Sequence, residues 1–373
     1  MIRLLTSGES HGKALAVIID GVPAGLSLSV SDINPELRRR QEGYGRGGRM
    51  VIERDTVEIL SGIRNGITTG APVTLLIANA DSKNWENKTV PPVTMPRPGH
   101  ADLAGVLKYG LSDIRDVLER ASARETAARV AAGAVCRKLL KEFGIEIFGY
   151  VTQIADIQAK TYDIKYKAVI EASPLRTADK KAEKAMITVI EKAKKNGDSI
   201  GGVFEVRALK VPAGLGSYAQ WDKKLDARLA GGLMSLQAIK GVEIGLGFKA
   251  AQMPGSKVHD QIYYKKGMYY RKTNSCGGIE GGMSNGSDIV VRAAMKPIAT
   301  LYKPLNSIDI VTKKKVKALV ERSDTCAVPA ACVAGEAIVA FEIANCFMEK
   351  FGGDAVIDIN VSLNAYLKRI KGL

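Results

Sequence analysis

Residues 104–144 read AGVLKYGLSDIRDVLERASARETAARVAAGAVCRKLLKEFG. Within this stretch Ala127, Val130, Ala131, Ala134, Val135 and Leu139 recur at helical spacing and mark one face of a long helix that Gly144 stops. A face built so largely of alanine suits a tightly packed interior helix, because small side chains let a neighbouring backbone come close. The segments on either side decide what it packs against.

Upstream, an alternating apolar opening ends at Asp20-Gly21, and VPAGLSLSVSDI leads to Ser31 or Asp32 as N-cap of a helix through Arg40, with Pro35 in its first turn. MVIERDTVEIL (50–60) and APVTLLIA (71–78) are β-rich runs separated by a Gly/Thr turn, and a polar loop fills 84–98. Downstream, Ala182, Ala185, Met186, Val189, Ile190 and Ala193 give a helix whose lysines form its solvated face, stopped at Asn196-Gly197. Strands resume in GGVFEVRALKVP, with glycine-rich GVEIGLGF and CGGIEGGMSNGSDIVVRAAMKPI following, and a final helix covers roughly 330–350. Strands and helices come in blocks without the regular spacing of a doubly wound sheet, so the expected class is α+β with antiparallel sheets.

The 373 residues exceed the size at which one core usually stops growing, so the length predicts one large domain or two intimate ones. With 46% hydrophobic and 25% charged residues the composition is globular, and no run reaches the ~18 uninterrupted apolar residues of a membrane helix. The first residues lack the three-part pattern of a secretory signal, which places the chain in the cytoplasm. Five cysteines without a C-x-x-C pair argue against a disulfide framework and against a zinc site, so no metal is expected. A net charge of +15 calls for an anionic partner, either nucleic acid, a membrane surface or an acidic metabolite.

Only three histidines occur, and His11 in SGESHG and His100 in RPGHAD both sit in glycine-flanked turns. Histidine titrates near neutrality, so these two are the candidates for proton transfer. Ser10 and Glu9 beside His11 could pass for a nucleophile and a base, but adjacent side chains rarely meet, and no G-x-S-x-G elbow is present. GYGRGG has the spacing of a dinucleotide loop, yet it follows the helical NPELRRR instead of a strand. Its more informative content is Arg38, Arg39, Arg40, Arg46 and Arg49, whose planar forks suit carboxylates and phosphates. Arg120, Ser122 and Arg124 stand at the start of the alanine-rich helix, where amide groups favour an anion. Arg322 beside Asp324 forms either a substrate clamp or a salt bridge with a helix cap.

SGESHG, RRRQEGYGRGGRM, RPGHADL, ERASARETAARVAAGA, GDSIGG, VPAGLGS, GLGF, GGIEGGMSNG, MKPIATLYKPL and ERSDTCAVPA occur in this order, and together they resemble the chorismate synthase family over essentially the whole chain. The resemblance implies a single domain over 1–373, with helices sandwiched between antiparallel sheets, assembled as a homotetramer. It implies a lyase of aromatic amino-acid biosynthesis: 5-enolpyruvylshikimate 3-phosphate loses phosphate and a C6 hydrogen in an anti 1,4-elimination that gives chorismate. Reduced FMN is required and not consumed, and an external reductant must supply it, since the chain offers no nicotinamide site for NADPH. Carried over, Ser10, Arg40, Arg46, Arg49 and Arg124 resemble substrate contacts. Arg120, Ala121, Ser122, Gln237, Ala238, Gly281, Lys296, Pro297, Ile298, Ala299, Thr300 and Arg322 resemble the FMN site. His11 resembles the histidine that protonates the reduced flavin, His100 the one that protonates the departing phosphate, and Asp324 the group that assists proton removal. Ala299, Gln237 and Cys332 depart from the proline, asparagine and glycine common at those positions, and His259 matches no motif and is read as a surface residue. Two other readings follow from charge and cofactor: a basic nucleic-acid-binding protein, which the 6% aromatic content disfavours, and an FMN oxidoreductase.

Overall fold

The computed structural model describes residues 1–47, 54–85, 90–265 and 267–371. The opening segment is a hairpin of β1 (Arg3–Ser7) and β2 (Ala14–Asp20), followed by α1 (Val30–Gln41), β3 (Val57–Ser61) and β4 (Val73–Ala78). These strands form one antiparallel sheet in the order β1-β2-β4-β3. Leu15, Val17 and Ile19 on β2 and Val73, Leu75 and Ile77 on β4 point to one buried face, the alternation of a sheet covered on one side.

The stretch 104–144 holds the expected alanine-rich helix, α4 (Thr126–Glu142), and two shorter helices before it, α2 (Asp102–Tyr109) and α3 (Arg115–Arg120). Gly110, left-handed at φ +66°, ends α2, and a turn at 123–125 separates α3 from α4. All six positions of the expected apolar face fall in α4 and are buried.

A second antiparallel sheet runs in the order β8-β9-β7-β5-β6, from β5 (Glu146–Ile154), β6 (Ile157–Gln158), β7 (Gly202–Leu209), β8 (Ile239–Ile244) and β9 (Ile289–Met295). β5 is buried along most of its length, on both faces: one faces the core, and the other carries Phe148 and Tyr150 into a small cluster with Ile170 and Leu209. The lysine-rich helix α5 (Lys180–Lys195) buries Ala182, Met186, Ile190 and Ala193 as its period requires. α6 (Leu225–Met234) precedes β8.

Between the sheets lie α4 and α7 (Val328–Phe351), α4 against the first sheet and α7 against the second. They run parallel: Gly133 meets Ala337, and the Phe143 and Phe347 rings lie 4.8 Å apart further along. By length and composition α7 could cross a membrane, but it is mostly buried inside the protein. Its fully buried Glu336 accepts hydrogen bonds from Arg39 and Arg176 at 2.8–2.9 Å, from Arg137, and from the Gly149 amide.

Three boundaries differ from the sequence reading. α1 starts at Val30, because the Ser29 amide donates to Asp32 (2.9 Å) and closes the first turn two residues early; Pro35 therefore sits inside the helix. Of the run 50–60, residues 57–60 fall in β3, which continues to Ser61, while 48–53 lie outside the described residues. A further helix, α8 (Val356–Lys371), follows α7 and buries Ile359 and Leu363.

Gly133 fixes the distance between the central helices, since a Cβ there would lie 2.3 Å from Ala337 Cβ and 2.5 Å from its Cα. Gly→Ala within a helix ordinarily gains ~0.5–1 kcal/mol. Here overpacking should reverse the sign and Gly133→Ala should cost about 1–3 kcal/mol, read as a lower thermal midpoint; a raised midpoint would contradict the packing.

Candidate active site

The parallel course of α4 and α7 puts both N-terminal ends at one cleft of about 700 Å³. Each end carries the positive end of a helix dipole. Thr126 lines the cleft from α4, and Ala327, Ala330, Ala331 and Ala334 line it from α7 and the residue before it. Leu118, Met234, Leu236, Ile239, Met295 and Ile298 extend the apolar wall.

The arginine triplet on α1 shows how helical geometry sorts identical residues. Arg38 is exposed, Arg39 turns to Glu336 and Glu171 in the interior, and Arg40 turns into the cleft. Arg40 donates to Asp55 (2.8 Å), and Arg124 clasps the same carboxylate at 2.6 and 2.7 Å while its Nε donates to Asn79 (2.9 Å). Burial alone would raise Asp55, but the charges of Arg40 and Arg124 overcome it and hold its carboxyl below the usual range. Burial brings Arg40 down to about 10, against the pull of Asp55 and with the repulsion of Arg124, so it remains a cation at neutral pH. Arg40 Nε is buried without a protein partner among the described residues.

Arg46 reaches the same cleft because its loop is pinned, not free: Gly45 turns at φ +88° and its carbonyl accepts from the Thr325 amide (2.9 Å). Arg46 then pairs with Asp324 at 2.7 Å, and the Gly47 amide donates to the same carboxylate at 2.6 Å.

His11 and Ser10 both line the cleft. Contrary to the expectation that adjacent side chains miss each other, Ser10 Oγ lies 3.1 Å from His11 Nδ1. The tight turn that puts the Gly12 amide on the Glu9 carbonyl, with the Ser10 amide held by the Glu119 carbonyl, swings the two to one side. Glu119 lies 3.5 Å from the same ring nitrogen, and Trp85 packs on the imidazole at a centroid distance of 4.5 Å.

His100 occupies another part of the wall, in a loop where Gly99 takes φ +78°. Its Nδ1 lies 2.5 Å from Asp102 Oδ1, and Arg97 donates to that buried carboxylate through Nε (2.8 Å), Nη2 (3.0 Å) and its backbone amide (2.9 Å).

Ala121, Ser122, Gln237, Ala238, Lys296, Ile298, Ala299, Thr300 and Arg322 also line the cleft. Three expected residues do not: Arg120 donates to the carbonyls of Thr6 and Gly8 (3.0 and 3.1 Å), Pro297 is absent from the wall, and Gly281 sits in a turn at φ +58° between two short strands. Arg49 lies outside the described residues. His259 is exposed, as expected. Arg97, Lys240 and Glu321 line the wall without having been singled out, as do the turn residues Gly99 and Ser323; Asp55 and Asp102 stand directly behind it.

Cationic forks held at fixed spacing, two histidines and an apolar floor define an α+β enzyme for a small, multiply charged anion. The comparisons agree with this class. The chain matches the chorismate synthase family profile over residues 2–348. It is 55% identical to the chorismate synthase of Desulforamulus reducens over the full length of both chains, and 54% identical to that of Syntrophotalea carbinolica over 98% of this chain and 97% of the relative. A crystal structure of chorismate synthase superposes with TM-score 0.83 at 44% identity, covering 100% of this chain and 99% of the other. The chain belongs to the chorismate synthase family, and is thus an enzyme, a lyase of the shikimate pathway of aromatic amino-acid biosynthesis.

Asp55→Asn would leave two buried guanidinium groups without their carboxylate, a loss on the order of 3–5 kcal/mol. The sign with pH follows from the direction of the shift. Asp55 ionises lower in the fold than its unfolded value of about 3.9, so its contribution is whole above about pH 5 and drains as pH falls further. The stability gap between parent and variant in urea should therefore be widest at pH 6–8 and narrow below pH 4; a gap independent of pH would contradict the pairing.

Proposed function

We propose that this cleft converts 5-enolpyruvylshikimate 3-phosphate to chorismate by anti 1,4-elimination, with reduced FMN bound beside the substrate and no net redox change. The observation that carries the reading is the convergence of Arg40, Arg46 and Arg124 with His11, His100 and Asp324 on one cleft. The substrate brings two carboxylates and a phosphate, for which arginine forks at two helix N-termini are suited partners.

The residues on the far wall fit a flavin. Gln237 Oε1 is a buried acceptor without a protein partner among the described residues, open to a ring N–H donor, while its Nε2 is fixed on Glu125 at 2.7 Å. Ala238 beside it holds a left-handed φ of +66°, a strain of the kind that collects at ligand sites, and Lys296 and Arg322 offer charge to a phosphate. Reduced FMN held by these residues would lend electron density to the allylic system with no net redox change.

The chain's own groups then divide the work. Ser10, Arg40, Arg46 and Arg124, with Arg49 by resemblance, hold the substrate anions. Ala121, Ser122, Gln237, Ala238, Lys296, Ile298, Ala299, Thr300 and Arg322, with Arg120, Pro297 and Gly281 by resemblance, surround the cofactor. His100 gives its proton to the departing phosphate, whose developing charge the arginines share; His11 is the proton donor on the cofactor side; Asp324 assists removal of the C6 proton. We further infer a single domain over 1–373, a cytoplasmic homotetramer, an external flavin reductant, and no nucleic-acid or membrane partner.

Purified protein with dithionite-reduced FMN and 5-enolpyruvylshikimate 3-phosphate, without oxygen, should form chorismate, seen by its absorbance. In air, with oxidised FMN and NADPH alone, it should form none. Absence of product in the first assay would overturn the reading, and stoichiometric NADPH oxidation would favour an oxidoreductase. His11→Ala and His100→Ala should each lower kcat by roughly 10- to 1000-fold at an unchanged melting temperature; undiminished turnover in both would remove the proton-transfer assignment.

A further inference from the structure

We propose that Asp102 is a positioning residue that holds His100 with a proton on Nδ1, leaving Nε2 as the ring's proton-exchanging nitrogen. The motif RPGHAD builds the arrangement locally. Gly99, at φ +78°, turns the chain so that Arg97, His100 and Asp102 converge, and Asp102 is anchored at the first position of α2. The Asp102 carboxylate is wholly inaccessible to solvent and accepts from three Arg97 donors.

His100 Nδ1 faces two groups of opposite demand: Asp102 Oδ1 at 2.5 Å, which can only accept, and Arg97 Nη2 at 3.1 Å, which can only donate. The shorter contact belongs to the carboxylate, and Arg97 already spends two side-chain N–H groups on that same carboxylate, so the proton belongs on Nδ1. Burial would lift Asp102, but the hydrogen bonds from His100 and Arg97 overcome it and keep the carboxyl well below the ordinary range. It therefore stays an acceptor throughout the neutral range.

The other charges around His100 do not replace Asp102. Arg97 is cationic and repels an imidazolium; Glu321, 3.8 Å from Arg97, acts on the guanidinium from the loop before α7; and Lys296, after β9, donates to the Gly99 carbonyl at 2.9 Å. Arg97 also donates to Thr300 Oγ1 (2.8 Å), which ties this group to the adjoining stretch 296–300. Without the Asp102 charge, His100 would face two cations.

The proposal rests on the reading of His100 as the acid for the leaving phosphate, but its test does not. In full-length protein labelled with ¹⁵N-histidine, three histidines give three rings, assigned with His11→Gln and His259→Gln. In the parent, neutral His100 should be the Nδ1–H tautomer. In Asp102→Asn the side-chain amide can donate to Nδ1, so the neutral ring should shift toward the Nε2–H tautomer, and kcat should fall at least tenfold with KM changed less than threefold. An Nε2–H tautomer in the parent would overturn the proposal even if the variant does not fold, as would an unchanged tautomer in a folded variant. A changed tautomer with undiminished kcat would uphold the positioning and overturn the acid role of His100 instead.

Discussion

The constraint on which the site depends is the contact of Gly133 with Ala337, where two helices pass with no room for one methyl group. Everything at the site follows from that approach. Because α4 and α7 run parallel, closing them brings two helix N-termini together and concentrates partial positive charge at one end of the sandwich. The sheets cover the outer faces and leave that end to loops, so the functional groups collect there. The alanines that the packing requires also floor the cleft, and so one compositional feature serves both the core and the site.

Such a site must hold several arginines near one another before any ligand arrives, and carboxylates set in or behind its wall make this possible. Asp55 sits between Arg40 and Arg124, Asp102 under Arg97 and His100, and Asp324 between Arg46 and the Gly47 amide. Glu336 repeats the device in the core, tying Arg39, Arg137 and Arg176 across α1, α4 and the edge of the second sheet. Replacing a buried ion pair with apolar groups is often neutral, whereas removing one partner is costly. The three carboxylates at the cleft are thus best understood as setting guanidinium and imidazole positions rather than as sources of net stability.

The sequence reading found what period and punctuation encode. The face of α4, the lysine-bearing α5 and α7 appear within a few residues of their expected places, because apolar spacing and Gly/Asn stops are local signals. The helix α8 is not legible in the sequence: its buried set of Ile359 and Leu363 is sparse, and its helical pattern is diluted by exposed Ile357 and Val361. For the site, histidines in glycine turns and clustered arginines were visible, but their destinations were not. Nothing local distinguishes Arg39 from Arg40; their fates are set by the 100° between successive helical residues and by Glu336, almost 300 positions away. Asp55 lies in an unremarkable strand approach, and its partners come from α1 and the turn before α4. Asp102 was within reach, since RPGHAD places it two residues from His100, but only the left-handed turn at Gly99 shows that the two meet.

The most direct measurement of the central claim, that parallel helix ends and carboxylate-held arginines make this cleft the substrate site, is a crystal structure with oxidised FMN and 5-enolpyruvylshikimate 3-phosphate. The account expects substrate phosphate or carboxylate oxygens within hydrogen-bond distance, about 2.7–3.1 Å, of Arg40, Arg46 and Arg124, with the isoalloxazine ring against the wall of Gln237 and Ala238. Substrate anions bound elsewhere, with Arg40 and Arg124 making no contact to them, would contradict it.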